Sequence, residues 1–258
     1  MARIPFVAAN WKMFKTRAEA RNFMDAFKKA WKNDGRVKAA ICPSFTALST
    51  VADEIKGTGI HLGAQNIHWE AQGAFTGECS AVQLKEAGCD HAIVGHSERR
   101  KIFKETDADL NRKVKTCLKE GLVPIFCVGE TLEEREAGKT QEIIRTQLAE
   151  GLAGVPAGDA VKVVVAYEPV WAIGTGKTAT PEQAQEVHAF IRAWLAGAFG
   201  PGVSEAMIIQ YGGSVKPENT EAIMKGKDVD GALIGGAALD PAGFAAIAAA
   251  AAKAKSLC

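Results

Sequence analysis

Polar and apolar positions follow two rhythms along this chain. Eight short runs are apolar almost without interruption and rich in β-branched residues: 6–9, 37–41, 60–64, 91–94, 123–128, 161–167, 206–210 and 232–234. Runs without in–out alternation predict strands buried on both faces. Between them the pattern turns helical. Thr180-Pro181-Glu182-Gln183 has the spacing of a capping box with proline at the first helical position. Val187, Phe190, Ile191, Trp194 and Leu195 then fall on one helical stripe. Thr16 with Glu19, and Ser80 with Gln83, repeat the box, and Leu110, Val114, Cys117 and Leu118 form another stripe. The tail from 241 to 255 is alanine-rich and helical.

Strand and helix therefore alternate eight times, at roughly 30 residues per unit. That count predicts an α/β fold, a single-domain (β/α)8 barrel over residues 1–258. An open doubly wound sheet is the other architecture with this alternation. No Pro/Gly/Ser-rich linker or composition shift divides the chain. The barrel reading directs attention to the residues just after each strand, where active sites of this architecture gather.

Composition narrows the possibilities further. The 258 residues are 47% hydrophobic and 24% charged, with a net charge of +1. Such balance argues against nucleic-acid binding or a polybasic membrane surface, and the apolar content against disorder. Of six cysteines none forms a Cys-x-x-Cys pair. No apolar stretch is long enough to span a membrane. Residues 1–10 lack the apolar core of a secretory leader. A reducing cytoplasm is the expected compartment.

The strand ends carry the chemistry. Asn10-Trp11-Lys12 follows the first run, and a lysine placed there calls for an anion. Gly95-His96-Ser97-Glu98-Arg99-Arg100 follows the fourth, with Glu98 and the two arginines expected to form a supporting ion-pair network. Glu168 follows the sixth, as a candidate general base. Residues 169–179 after it form a long, partly apolar loop with the character of a lid. Tyr211-Gly212-Gly213-Ser214 and Gly235-Gly236 follow the last two runs, and paired glycines let backbone N–H groups approach a phosphate closely. A lysine, a histidine, a carboxylate, a phosphate cradle and a lid suit proton abstraction beside a carbonyl in a small phosphorylated substrate.

Three motif fragments lead nowhere. Gly176-Lys177-Thr178 has Trp171 where a P-loop needs glycine. Gly174-Thr175-Gly176 is too far from its strand to be a dinucleotide fingerprint. His68-Trp69-Glu70 has no following Pro-Cys-x-x-Cys. His61, His68, His91, His96 and His188 show no metal-ligand spacing, so neither a metal nor any other cofactor is expected.

Taken together and in order, the Asn10, Gly95–Arg100, Ala166–Thr178 and Tyr211–Ser214 motifs, with Gly63-Ala64-Gln65-Asn66 and Cys127-Val128-Gly129-Glu130, closely resemble the triosephosphate isomerase family over the whole chain. The resemblance implies interconversion of dihydroxyacetone phosphate and D-glyceraldehyde 3-phosphate through an enediol(ate), in glycolysis and gluconeogenesis. It implies Glu168 as the base, His96 as the neutral electrophile, Lys12 as the substrate-facing cation and Asn10 as a nearby hydrogen-bonding group. Gly174, Ser214, Gly235 and Gly236 match phosphate-contacting positions, with Ser97, Glu98 and Cys127 behind them.

The resemblance also implies a homodimer in which the loop of residues 65–78, carrying Gln65, Ile67, Trp69, Phe75 and Thr76, inserts beside the partner's site with Thr76 at its tip; Ile67, Trp69 and Phe75 are expected to be exposed on it for burial in the partner. Phe14-Lys15 departs from the Asn-Gly of many relatives, and Ala238 replaces a frequent serine. Another phosphosugar isomerase on the same barrel, or a non-catalytic homologue, are the alternatives. A Schiff-base aldolase would need a lysine within the sixth strand, where this chain has Glu168 and only Lys162 at the start of the run.

Overall fold

The computed structural model describes residues 3–173 and 178–256. Its strands are β1 (Phe6–Asn10), β2 (Lys38–Cys42), β3 (His61–Ala64), β4 (His91–Val94), β5 (Val123–Val128), β6 (Val164–Tyr167), β7 (Ile208–Tyr211) and β8 (Gly231–Ile234). All neighbours are parallel, and β8 pairs back onto β1 with Phe6 opposite Gly231, which closes the barrel. Helices connect consecutive strands, so the open-sheet alternative is set aside. Glycine is required at 231, where a Cβ would stand 1.8 Å from the carbonyl oxygen of Phe6.

The near-continuous apolar runs follow from two cores, one on each side of the sheet. Alternate residues such as Phe6, Ala8, Ala40, Ile93, Ile125, Val164 and Leu233 fill the barrel interior. The intervening ones, including Val7, Ile41, Phe126 and Val165, pack outward with the helices. All three expected capping boxes form, at Thr16/Glu19, Ser80/Gln83 and Thr180/Gln183. Each satisfies backbone N–H groups that the first helical turn leaves without partners. Two more, Thr106/Asp109 and Thr131/Glu134, have the same spacing and escaped the sequence reading.

Differences are confined to element ends and to one loop. The run 161–167 enters its strand only at Val164; Val161 follows a short helix, Ala157–Ala160, and Lys162 pairs with Asp159 at 2.8 Å in the turn. Ala206 ends the helix Pro201–Ala206 rather than starting β7. Tyr211 is the last, buried residue of β7 rather than the first of its loop. Ile67 is fully buried in its own chain, not exposed on the 65–78 loop, and Trp69 is half-buried under Arg112 at 5.4 Å. A loop that long can fold its apolar residues back on its own barrel.

The helix Pro181–Phe199 buries Val187, Ile191 and Leu195 of the expected stripe, leaves Phe190 and Trp194 half-buried, and buries two polar residues, His188 and Arg192. Arg192 donates to the carbonyls of Ser204 and Met207 and pairs with Asp230, which makes burial of its charge tolerable. Among the described residues, no helix is long and apolar enough to cross a membrane.

Candidate active site

Parallel strands in a closed ring bring their carboxyl ends together although they are far apart in sequence. Asn10, Lys12, His96, Glu168, Ser214, Gly235 and Gly236 all line one cavity of about 670 Å³ at that end. Gly174 lies outside the described residues, as do residues 175–177 of the 169–179 loop.

Glu168 stands just beyond β6 with 2% of its surface exposed. Its position is set by backbone pairing: its N–H donates to the carbonyl of Val128 at 2.7 Å, and Val170 N–H donates to that of Glu130 at 3.1 Å. The side chain is held at both oxygens. Oε2 accepts the backbone N–H of Ser97 at 2.8 Å, and Oε1 lies 2.9 Å from Nε2 of His96. Burial pushes the carboxyl pKa up, but His96 and the Ser97 N–H outweigh it and hold Glu168 below its ordinary value. Burial likewise disfavours the imidazolium, yet the carboxylate raises His96 above its ordinary value. The contact therefore favours charge separation across the pair.

His96 caps the helix Ser97–Ile102. Its Nδ1 accepts the N–H of Glu98 at 3.2 Å, which assigns the ring proton of the neutral imidazole to Nε2. The tautomer that can donate into the cavity is thus chosen by the backbone.

Lys12 sits in the left-handed region at φ 51°, an unusual conformation for a side-chain-bearing residue. Two contacts hold it there, and a third fixes the side chain that makes one of them. Its N–H donates to Oδ1 of Asn10 at 3.0 Å, and Gln65 Nε2 donates to the carbonyls of Lys12 and Cys42 at 2.8 and 2.9 Å. Gln65 therefore braces Lys12 within its own chain. The ammonium reaches Oε1 of Glu98 at 2.7 Å, so the anion expected for Lys12 is Glu98 in this state. All three charges of this cluster are in ion pairs, each with a different partner: Glu98 with Lys12, Arg99 with Glu105 and Arg100 with Asp107. Helical geometry turns adjacent charges in different directions.

Gly235 lies against the Lys12 stem, where a Cβ would be 3.3 Å from Cε. Gly236 opens the 3₁₀ turn Gly236–Leu239, with nothing within 4 Å of where a Cβ would stand. The first N–H groups of such a turn have no partner within it, and both glycines line the cavity, so the turn suits anion oxygens. The Ser214 carbonyl is held by Asn219 Nδ2 at 3.1 Å, and Asn219 Oδ1 accepts the N–H of Lys216 at 2.8 Å. Asn219 was not singled out from the sequence, since one asparagine in a helical first turn carries no distinguishing signal.

Cys127 is buried inside the barrel, one residue before the end of β5. Desolvation and the nearby Glu168 charge push its thiol well above the ordinary value, so it is an inert packing residue. Its carbonyl accepts Arg100 Nη2 at 3.0 Å. Phe75 is 43% exposed and packs on His68 at 4.1 Å between ring centres, with Thr76 exposed next to it.

Two residues beside Glu168 went unassigned in the sequence reading. Glu130 is fully buried and its Oε1 accepts from Tyr167 at 3.1 Å and Trp171 at 3.0 Å, with Arg135 at 3.2 Å. It anchors the described start of the 169–179 loop. Gly129 is clamped by Gln147, whose Oε1 accepts its N–H at 2.7 Å and whose Nε2 donates to its carbonyl at 3.1 Å. A Cβ on Gly129 would stand 1.7 Å from the carbonyl oxygen of Glu168. The Cys127–Glu130 motif pointed to this segment without revealing what it touches.

Comparison with known proteins agrees with this geometry. The family model described as "Triosephosphate isomerase" matches residues 5–251. Proteins named triosephosphate isomerase from Geobacter metallireducens and Trichlorobacter lovleyi are 52% and 51% identical over 245 residues, covering 95% of this chain and 98% of theirs. The one from Symbiobacterium thermophilum is 52% identical over 254 residues, 98% of this chain and 99% of its own.

Proposed function

Because the chain belongs to the triosephosphate isomerase family, it is an intramolecular oxidoreductase that interconverts dihydroxyacetone phosphate and D-glyceraldehyde 3-phosphate, and we propose how its residues divide that work. Glu168 removes a proton from C1 of the ketose and returns it to C2. His96, neutral and protonated at Nε2, donates to the carbonyl oxygen as the enediolate forms. A carboxylate base paired with a neutral histidine donor suits proton transfer beside a carbonyl, as established for this enzyme family. Lys12 offsets substrate charge and Asn10 supplies a hydrogen bond. Ser214, Gly235 and Gly236 hold the phosphate, joined by Gly174.

One observation carries this reading: Glu168 and His96 meet at 2.9 Å inside the cavity that also holds Lys12 and the glycine turns. In that contact the carboxylate is a weakened base. A substrate entering between them separates the pair. Glu168 then loses the Ser97 N–H and the imidazole partner, and its proton affinity rises. His96 loses the carboxylate that favours its protonation and stays neutral.

Residues 169–179 act as a lid. An enediolate with a neighbouring phosphate can expel it, and closing over the pocket suppresses that elimination by holding the phosphate and excluding water. The Glu130 contacts to Trp171 and Tyr167 support a fixed hinge at the lid's start.

The active form is a cytoplasmic homodimer serving glycolysis and gluconeogenesis, its partner in chemistry being the small phosphorylated triose alone. The loop of residues 65–78 reaches the partner's Asn10 region with Thr76. Support comes from large apolar side chains exposed after β1 and at the end of the helix Ser97–Ile102: Met13 at 95%, Phe14 at 56%, Ile102 at 64% and Phe103 at 62%.

A coupled spectrophotometric assay with D-glyceraldehyde 3-phosphate, run beside Glu168→Gln, tests the assignment. Rapid turnover that collapses in the variant is expected. Undiminished turnover in Glu168→Gln would remove Glu168 from its role.

A further inference from the structure

The opposite end of the barrel holds a second cluster of potential ligands. His61 begins β3 and His91 begins β4, and Asp90 directly precedes His91. The β3–β4 register sets Gly63 opposite His91, so residues distant in sequence become neighbours. Both imidazoles turn their Nδ1 toward one carboxylate: His61 lies 2.5 Å from Oδ2 of Asp90 and His91 lies 2.7 Å from Oδ1. The rings sit 4.9 Å apart between centres. Phe6 packs against both, at 6.3 and 5.0 Å, as an apolar floor.

We propose that His61, Asp90 and His91 form a binding site for a divalent transition-metal ion of the zinc, cobalt or nickel type, with water completing the coordination. Two imidazoles and one carboxylate are a donor set that such ions take with an open fourth position. The three donor atoms lie within 4.8 Å of one another. Around a tetrahedral ion with bonds of 2.0–2.1 Å, ligand atoms are about 3.3 Å apart, so small side-chain rotations suffice.

The surroundings favour binding. Leu62 N–H donates to Oδ1 of Asp90 at 3.1 Å and orients it from behind. The Asp90 side chain is 48% exposed and that of His61 33%, leaving an entry path from solvent. In the free site each Nδ1–H donates to Asp90; on binding the ion replaces those protons, a neutral ring carrying its proton on Nε2 instead and an imidazolium releasing its Nδ1 proton to solvent, so no redox change or group transfer is involved. Spacing along the chain hid the cluster, because 61 and 90–91 match no local motif.

The test uses the full chain, stripped with chelator and titrated with Co²⁺ and then Zn²⁺. Expected results are saturable one-to-one binding by calorimetry, a visible absorption band of low-coordinate cobalt, and a Tm rise of about 3 °C or more at saturation. His61→Gln and His91→Gln should each weaken binding by about tenfold or more. Isomerase activity should stay unchanged on binding, since the site lies at the far end of the barrel. Absence of saturable binding up to about 1 mM metal, or affinity in both variants equal to that of the parent, overturns the proposal. Should the variants not fold, NMR of the wild-type chain with Co²⁺ decides. Paramagnetic shifts at His61 and His91 support the site; shifts at His68, His96 or His188 instead refute it.

Discussion

Oε1 of Glu168 and Nε2 of His96 face each other at 2.9 Å although the residues come from β6 and β4 ends. Each perturbs the other: the carboxylate raises the imidazole pKa and the imidazole lowers that of the carboxyl, both against the pull of burial. Removing one charge should release the other. In Glu168→Gln the His96 imidazole loses the contact that raises it, leaving burial and the Glu98 N–H to keep it neutral. NMR titration of the His96 ring should show its pKa lower in the variant than in the parent. An unchanged value would mean that the two groups do not meet in solution.

Glu168→Asp shortens the side chain by one methylene while the backbone pairing to Val128 stays. Misplacing a reacting group by about 1 Å costs on the order of 10²-fold. Substrate affinity should change little and kcat should fall by about that factor or more, as read from steady-state kinetics. Near-parental kcat would show that the carboxylate is not the proton carrier.

Gly129 offers a test of backbone placement. A methyl at that position collides with the Glu168 carbonyl at 1.7 Å, and backbone cannot yield as a flexible side chain can. Gly129→Ala should cost about 1–3 kcal/mol of stability and lower kcat more than it raises KM. Gly158, with nothing within 4 Å of its Cβ direction, is the matched control, and Gly158→Ala should be nearly silent. Denaturant unfolding and kinetics on both variants compare the two.

His188 ties stability to pH. It is fully buried, and desolvation, with the Arg192 charge added, lowers its pKa from 6.5 to about 4 against the opposing Asp228 carbonyl. A group whose folded pKa lies below its unfolded one stabilises the fold above the unfolded value and loses that contribution as pH falls. The window is thus about pH 6.5 down to 4, and the loss is about 3 kcal/mol in all. Unfolding free energies measured across this range should fall, with part of the slope absent in His188→Gln. An identical slope in the variant would assign the effect to other groups.

The dimer reading is tested at Phe75 and Thr76. Placing a charge on an exposed aromatic at an interface centre costs about 2 kcal/mol of association or more. Phe75→Asp with Thr76→Ala should shift sedimentation toward monomer and lower activity in step. A fully active monomer would show that the loop of residues 65–78 does not complete the site.

Much of the fold was legible because its signals are local. Strands buried on both faces cannot alternate, so apolar runs marked all of them, and β4 and β5 even matched to the residue. Capping boxes span only three residues, so Thr16, Ser80 and Thr180 announced their helices. The misread ends share one cause. Val161 and Ala206 are apolar, but each belongs to a short helix or turn packed beside the strand, and hydrophobicity does not say which. Ile67 failed for a related reason, since loop length does not reveal which way a side chain folds.

The amino-acid sequence by itself determined the eightfold alternation and the residue types at the strands' carboxyl ends: an asparagine closing β1 with a lysine just after it, a histidine after β4, a carboxylate after β6, glycines after β7 and β8. Those are properties of neighbours along the chain. Only the tertiary structure decided which of them touch. Lys12 meets Glu98 across 86 positions and Ser97 meets Glu168 across 71. Gln65 braces Lys12, Gln147 clamps Gly129, and His61 and His91 converge on Asp90. Barrel closure sets the order of strand ends and backbone hydrogen bonding sets their heights, and neither quantity is written in any single stretch of residues.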